Sequence, residues 1–237
     1  MKKSILFLVI AVLIMLGCLT AYNLTLKKIY IPGGQISRFS GMQFSSFAGI
    51  NQISVKSANR MDISIEHGEK EGVWIYKSSE DNVILKFSNG VLDLSNLDTV
   101  DEPGYEMERI IIVTKTLSAL KMVPAFKGKC DTCSIAQMNL INLKMDYLDL
   151  QVAPNVVLNF HNTKVNKLNA VIGNALQDNG GLTIYQNCEI ENAYFNVLGK
   201  STLDLLDPKI KKATYKLSDS ATVILNGKAL EALNKSM

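Results

Sequence analysis

The sequence predicts an all-β fold: a single-domain β-solenoid with hairpins at its N-terminal end, preceded by one transmembrane or signal helix. Three observations predict it. A degenerate repeat runs through the C-terminal half, period-2 alternation of apolar residues fills most of the rest, and one unbroken apolar run, Ile5–Leu16, lies at the N-terminus. The repeat is the strongest of these. Four segments align without gaps: Met145–Val152 (MDYLDLQV), Val165–Ile172 (VNKLNAVI), Ile190–Val197 (IENAYFNV) and Ile210–Leu217 (IKKATYKL), at offsets of 20, 25 and 20 residues. A second set follows in the same register: Leu158-Asn-Phe160, Thr183-Ile-Tyr185, Leu203-Asp-Leu205 and Val223-Ile-Leu225. Short alternating strands at such a period mark a stack whose repeats bury their apolar faces only against their neighbours.

The repeats assign faces. Leu148, Leu150 and Val152 and their equivalents are apolar in every copy, so they point inward. Between them stand Asp149, Asn169, Tyr194 and Thr214, and Gln151, Val171, Asn196 and Lys216, mostly polar and therefore outward. A sheet buried on one face requires that alternation. The long repeat carries an extra loop, Gly173 to Gly180. Insertions of this kind project from one face of a solenoid and are common places for binding.

Earlier in the chain the pattern is hairpin-like. Ile50–Val55 and Met61–Ile65 alternate, Val73–Tyr76 is a short apolar strand, and Val83–Phe87 and Val91–Leu94 flank Ser88-Asn89-Gly90. Asn-Gly between apolar runs is a hairpin signal, because both central turn positions need positive φ. Residues 95 to 108 are acidic and contain Pro103-Gly104, so they read as a loop; Arg109–Val113 reads as a buried strand, and Leu117–Met122 as the start of the solenoid. Four regions result: residues 1–26 as membrane anchor or signal segment, 27–46 as a linker around Pro32-Gly33-Gly34, 47–227 as the β-solenoid domain, and 228–237 as a C-terminal cap or tail. Terminal repeats of such stacks need capping for solubility.

At the N-terminus Lys2-Lys3 precedes an uncharged stretch from Ser4 to Tyr22. This length suits an uncleaved signal anchor, and apolar residues continue beyond Cys18, which a cleaved signal does not need. Met15-Leu16-Gly17-Cys18 also resembles a bacterial lipobox, which makes Cys18 the candidate lipidation site. Under either reading, as under simple cleavage, the bulk of the chain lies outside the cytoplasm, in the periplasm or at the cell surface of a bacterial envelope.

The chain has 237 residues, 47% apolar and 20% charged, with a net charge of +3. That supplies a core, and the lysines are scattered (Lys27-Lys28, Lys127, Lys129, Lys209, Lys211-Lys212). Nucleic-acid binding, which needs clustered cations, is not expected. The order of strands around "INQISV", "ISIEHG", "VWI" and "NGVLDL", running on into short repeats, resembles the head GIN domain of the Bacteroidota, a family of candidate auto-transporter adhesins. The resemblance covers roughly residues 40 to 227 and rests on strand order and hairpin placement. It implies a β-solenoid-like fold and a periplasmic or surface location, and it carries no catalytic residue across.

Chemistry-bearing residues are few. Cys130-Asp-Thr-Cys133 has redox spacing, but a reactive thiolate there needs electrostatic stabilisation, and an inward apolar cysteine plus a turn cysteine is the favoured account. In an oxidising compartment Cys130, Cys133 and Cys188 are the candidate disulfide or thiol residues. A zinc set would need four ligands, and only Cys188, His67 and His161 are left to add. Neither histidine has a Ser or Cys at triad spacing. The outward column Asp146, Asn166, Glu191, Lys211 lacks the carboxylate pair of a glycan hydrolase. Trp74-Ile-Tyr76 reads as an aromatic patch or as a sheet-packing strand. The expectation is a non-enzymatic, membrane-attached binding, adhesion or scaffold module with a protein or glycan partner and no cofactor. The alternatives are an envelope thiol protein using Cys130 and Cys133 and, less favoured, a glycan-processing β-helix.

Overall fold

A computed structural model describes residues 3–29, 37–97, 107–124, 135–175 and 180–230. The chain divides into two units, Met1–Ser40 and Gly41–Met237. The first holds helix α1 (Lys3–Ile29). Its stretch Phe7–Thr25 is 19 residues long, unburied, and long and apolar enough to cross a membrane. Two hydroxyls in it are satisfied within the helix: Thr20 and Thr25 donate to the Leu16 and Ala21 carbonyls at 2.7 and 2.9 Å. Such back-bonding lets Thr sit in an apolar environment without an orphaned polar group.

The second unit is built of strands. In chain order these are β1 (Met42–Ser46), β2 (Gln52–Lys56), β3 (Met61–His67), β4 (Gly72–Tyr76), β5 (Val83–Ser88), β6 (Val91–Asn96) and β7 (Glu108–Thr114). Then come β8 (Ala119–Val123), β9 (Ala136–Ile141), β10 (Lys144–Val152), β11 (Val156–His161) and β12 (Lys164–Ile172). The last are β13 (Gly181–Tyr185), β14 (Glu189–Val197), β15 (Thr202–Leu206), β16 (Lys209–Leu217) and β17 (Thr222–Asn226). They form two sheets, neither closed on itself. Sheet A has the order β1-β4-β7-β3-β9-β11-β13-β15-β17, and sheet B the order β16-β14-β12-β10-β8-β2-β6-β5. From β8 onward successive strands alternate between the sheets, and each pairs in parallel with the strand two places on. Strand β1 lies inside the stretch read from sequence as linker.

The first set of repeats stacks as the sequence aligns it. Met145 stands opposite Val165, Val165 opposite Ile190, and Ile190 opposite Ile210. Leu148, Leu150 and Val152 are buried, as are Leu168, Ala170, Ile172, Phe195 and Val197. The second set needs a correction. Leu158 pairs with Leu182, not Thr183, and Leu182 with Leu203. Leu182 and Ile184 therefore face the core, while Tyr185 stands outside it, half-buried. The physical reason is where the insertion is absorbed. Most of it lies between β12 and β13, as expected for Gly173–Gly180, but one residue goes into the corner between β13 and β14. A shift of one residue inverts every side chain of a strand.

Corners have their own chemistry. Asn142, Asn162 and Asp207 each turn the chain at positive φ, 59°, 48° and 59°, a conformation that Asn and Asp tolerate better than other side chains. The Asn162 amide donates to Asn142 Oδ1 at 2.6 Å, so successive corners are bonded to each other.

The N-terminal part differs from the hairpin expectation. Only β5 and β6 form the predicted hairpin, with Asn89 at φ 50° and Gly90 at φ 79° in the turn. Strands β3 and β4 are consecutive but unpaired: β7 and β9 take both edges of β3 in parallel, and β4 lies outside β7, between it and β1. Parallel pairing also joins β2 to β6 and to β8. Parallel stacking thus begins well before Leu117, and antiparallel pairs are confined to the β1 and β5 end.

Among the described residues the opposite end is open. Tyr215 and Leu217 on β16 continue the inward column of Phe195 and Val197, but Leu217 is 49% exposed while both predecessors are fully buried. Truncation should register that difference. Phe195→Ala is expected to cost about 3–5 kcal/mol in urea unfolding, whereas Leu217→Ala should cost under about 1 kcal/mol. Equal costs would contradict the open end.

Candidate functional site

The outer face of sheet B is a set of polar ladders set by the register. Lys164, Glu189 and Lys209 form a column in which Glu189 bridges both lysines, at 2.6 and 3.1 Å. Next to it Asn166 donates to Asp146 Oδ1 at 2.8 Å, and Lys211 pairs with Glu191 at 2.8 Å. Beyond the exposed column of Tyr147, Lys167, Asn192 and Lys212, Asn169 donates to Asp149 Oδ1 at 2.6 Å. Hydrogen bonds from Lys164 and Lys209 hold the Glu189 carboxyl below its usual range, and Glu191 raises the Lys211 ammonium. These groups are solvent-exposed, so each pair adds little stability alone. Tyr147 and Tyr194 stand exposed among them, with the Lys167 ammonium 5.9 Å from the Tyr147 ring.

The outer face of sheet A is drier. Its central row runs Ser64, Asn139, Asn159, Thr183, Asp204 by register. Asn159 donates to Asn139 Oδ1 at 3.3 Å, and Asn159 and Thr183 are nearly buried. Asp204 is the last polar member of the row, next to Ile224 of β17. Its Oδ1 is buried without a hydrogen-bond partner, and burial pushes its carboxyl above the usual range. In the adjacent row His161 stacks on Tyr185 with ring centroids 4.5 Å apart and planes at 16°. His161 is thus packed along the ladder. His67 lies within 3.3 Å of the Lys115 carbonyl oxygen.

Near the β1 end, Glu71 does work that the sequence did not announce. It accepts from Gly49 N–H at 3.0 Å, from Lys115 N–H at 3.2 Å and from the Thr114 hydroxyl at 3.4 Å. Burial pushes this carboxyl up, but the Gly49 and Lys115 N–H groups, the Lys115 charge and the Thr114 hydroxyl together hold it below the usual range. Three separate segments are tied there by one side chain from what reads as a polar turn. Trp74 packs on Phe44 at 4.6 Å, and the Lys70 ammonium lies 4.2 Å from the Phe44 ring centroid.

Cys18 is exposed on α1. Cys130 and Cys133 lie outside the described residues. Cys188 is a fully buried free thiol in the corner before β14, in the position that Leu143 and Thr163 hold before β10 and β12. Its Sγ donates to the Phe160 carbonyl at 3.3 Å. Burial pushes this thiol up, which disfavours the thiolate that disulfide exchange requires. Among the described residues no three of His, Cys, Asp and Glu gather as a metal set. The periodic residues were legible from alternation; the half-buried Asp204 carboxyl and the Glu71 clamp were not, since both depend on neighbours distant in sequence.

These features define a mostly β protein of two open sheets behind one apolar helix. No family model and no curated protein matches the chain. Solved structures are similar to it. One is a candidate adhesin from Bacteroides fragilis, at 15% identity over 78% of this chain and 96% of that one, with a TM-score of 0.37. A candidate adhesin from Parabacteroides distasonis is 14% identical over 78% and 96%, with a TM-score of 0.32. A candidate lipid-binding protein from the same species is 13% identical over 77% and 96%, with a TM-score of 0.33. The adhesins come from the same bacterial group as the family that the sequence resembles.

Asp204 gives a pH test. A carboxyl raised by burial makes the fold bind its proton more tightly than the unfolded chain does, so stability is fullest below the ordinary carboxylate range and declines as pH rises through the folded value. Asp204→Asn should therefore raise the melting temperature at pH 7 and leave it unchanged near pH 3. A gain at both values would mean that packing, not ionisation, is responsible. Glu71→Ala should destabilise by about 1 kcal/mol in urea unfolding, through loss of the charge-assisted hydrogen bonds from the Gly49 and Lys115 N–H groups.

Proposed function

We propose that this is a membrane-anchored, extracytoplasmic, non-enzymatic β-solenoid that acts as a binding, adhesion or scaffold module of the cell envelope. The observation that carries the reading is the in-register stacking of β8 to β17. It supports a solenoid because strands alternate between two sheets at the period of the repeat. It supports binding because the outward side chains form rows that pair along the stack, as in Lys164–Glu189–Lys209 and Asn169–Asp149. Such rows make a firm, patterned surface, suited to an extended protein or glycan, without converging nucleophile, base and oxyanion donors on one atom. The apolar helix α1 supports attachment, as an uncleaved span or through a lipid on Cys18. In this assignment residues 1–26 anchor the chain, residues 47–227 form the domain, and Cys188 is a corner residue of its core.

The attachment has a direct readout, the intact mass of the protein taken from its native membrane. The full-length mass is expected. A mass beginning at Cys18 with added acyl chains would replace the span by a lipid anchor, and an unlipidated product lacking α1 would end the anchoring claim. For the binding function, Cys130→Ser/Cys133→Ser is expected to leave partner retention intact. Loss of function in a variant that still folds would favour a thiol role.

A further inference from the structure

Among the described residues the C-terminal end of the stack leaves two strands without an outer neighbour: β16 ends sheet B and β17 ends sheet A. The inward columns are uncovered there. Ala213, Tyr215, Val223 and Leu225 are only partly buried, whereas Ala193, Phe195, Leu203 and Leu205 one strand further in are buried. The helical turn at residues 228–230 buries Ala229 but leaves Leu217 and Leu230 about half exposed. The charges on β16 divide in two. Lys209 and Lys211 are held by Glu189 and Glu191 of β14. Lys212 and Lys216 stand beside Asn192 and Asn196, with no carboxylate in those columns of β14.

Three occupants could cover such an end. A bilayer offers strand edges no hydrogen-bond partners. A second copy placed edge to edge about a two-fold axis would bring lysine-rich strands together, the arrangement by which edge lysines prevent self-pairing. An extended acidic segment matches the apolar column, the open backbone and the charge at once. We propose that β16 receives, by strand addition in parallel register, one extended segment of a partner protein. Its apolar side chains would cover Ala213, Tyr215 and Leu217, and its carboxylates would face Lys212 and Lys216. This deepens the binding reading and rests on it. It also sets the contact seven strand spacings along sheet B from β5, about 34 Å at about 4.8 Å per strand.

The natural neighbour of β16 supplies a probe: a labelled peptide with the β14 sequence EIENAYFNV in which glutamate replaces both asparagines. It is titrated into the full chain held in a lipid nanodisc, beside a version with lysine at the four acidic positions. The acidic peptide is expected to bind saturably, at least about tenfold more tightly than the lysine version, and to slow amide exchange along β16. Lys212→Glu/Lys216→Glu should invert the preference, a result that misfolding cannot mimic. Equal binding of both peptides, an unchanged preference in the double variant, or protection elsewhere than β16 would overturn the proposal. Self-association of the full chain that the same double variant alters would overturn it too, by making a second copy the occupant. If the peptides fail while the full chain is still retained on envelope fractions, the edge is wrong and the binding function stands.

Discussion

The whole second unit depends on one constraint: each strand must lie in parallel register on the strand one repeat earlier, with the same column of side chains facing inward. A parallel ladder supplies the backbone hydrogen bonds, but it does not by itself choose the register. The register is chosen by burial. Leu148 over Leu168 over Ala193, and Leu150 over Ala170 over Phe195, keep an apolar residue at every inward position. A slip of one residue would send Asp149, Asn169 and Tyr194 into that space, and burying such polar groups without partners costs several kcal/mol.

The outer surface follows from the same constraint. Once the inward columns are aligned, outward residues are aligned as well, at the strand spacing of about 4.8 Å. Residues at that separation interact whether or not they were placed for function. Glu189 between two lysines and Asn169 against Asp149 ease the repulsion that a column of identical charges would carry. The hydrogen bond from the Asn162 amide to Asn142 Oδ1 extends this to the corners. Rows of paired groups are individually weak, yet they fix side-chain positions over the width of a sheet, which is what a recognition surface needs and a solvated loop lacks.

The two ends of the stack solve the edge problem differently. At the β1 and β5 end the chain turns antiparallel: β4 with β1 and β7, and β5 with β6, place short strands on both edges. Short, twisted antiparallel edges offer a poor template for further pairing. At the other end both strands remain parallel and their inward columns stay open. Lysines on β16 discourage a like-charged edge from approaching but leave an acidic one unopposed. Among the described residues the asymmetry lies in strand direction: the β1 and β5 edges are antiparallel and the β16 and β17 edges parallel.

The sequence by itself determined the strand class, the repeat and most of the register. Period-2 alternation and gap-free offsets are local signals, and they place Met145, Val165, Ile190 and Ile210 in one column without reference to anything distant. The Asn89-Gly90 turn was legible for the same reason, and so was the apolar character of the first helix. What only the tertiary structure decided depends on partners far along the chain. The second column shifted to Leu182 because one residue of the insertion was absorbed in a corner, a choice between loops that alternation cannot report. Strand β3 took β7 and β9 as neighbours in place of β4, since sheet order is set by which faces can be buried together and not by adjacency. One Asp204 oxygen lost its solvent and Glu71 gained two backbone donors through neighbours beyond any local window. Burial and hydrogen bonding are sums over space, and a sequence lists only neighbours along a line.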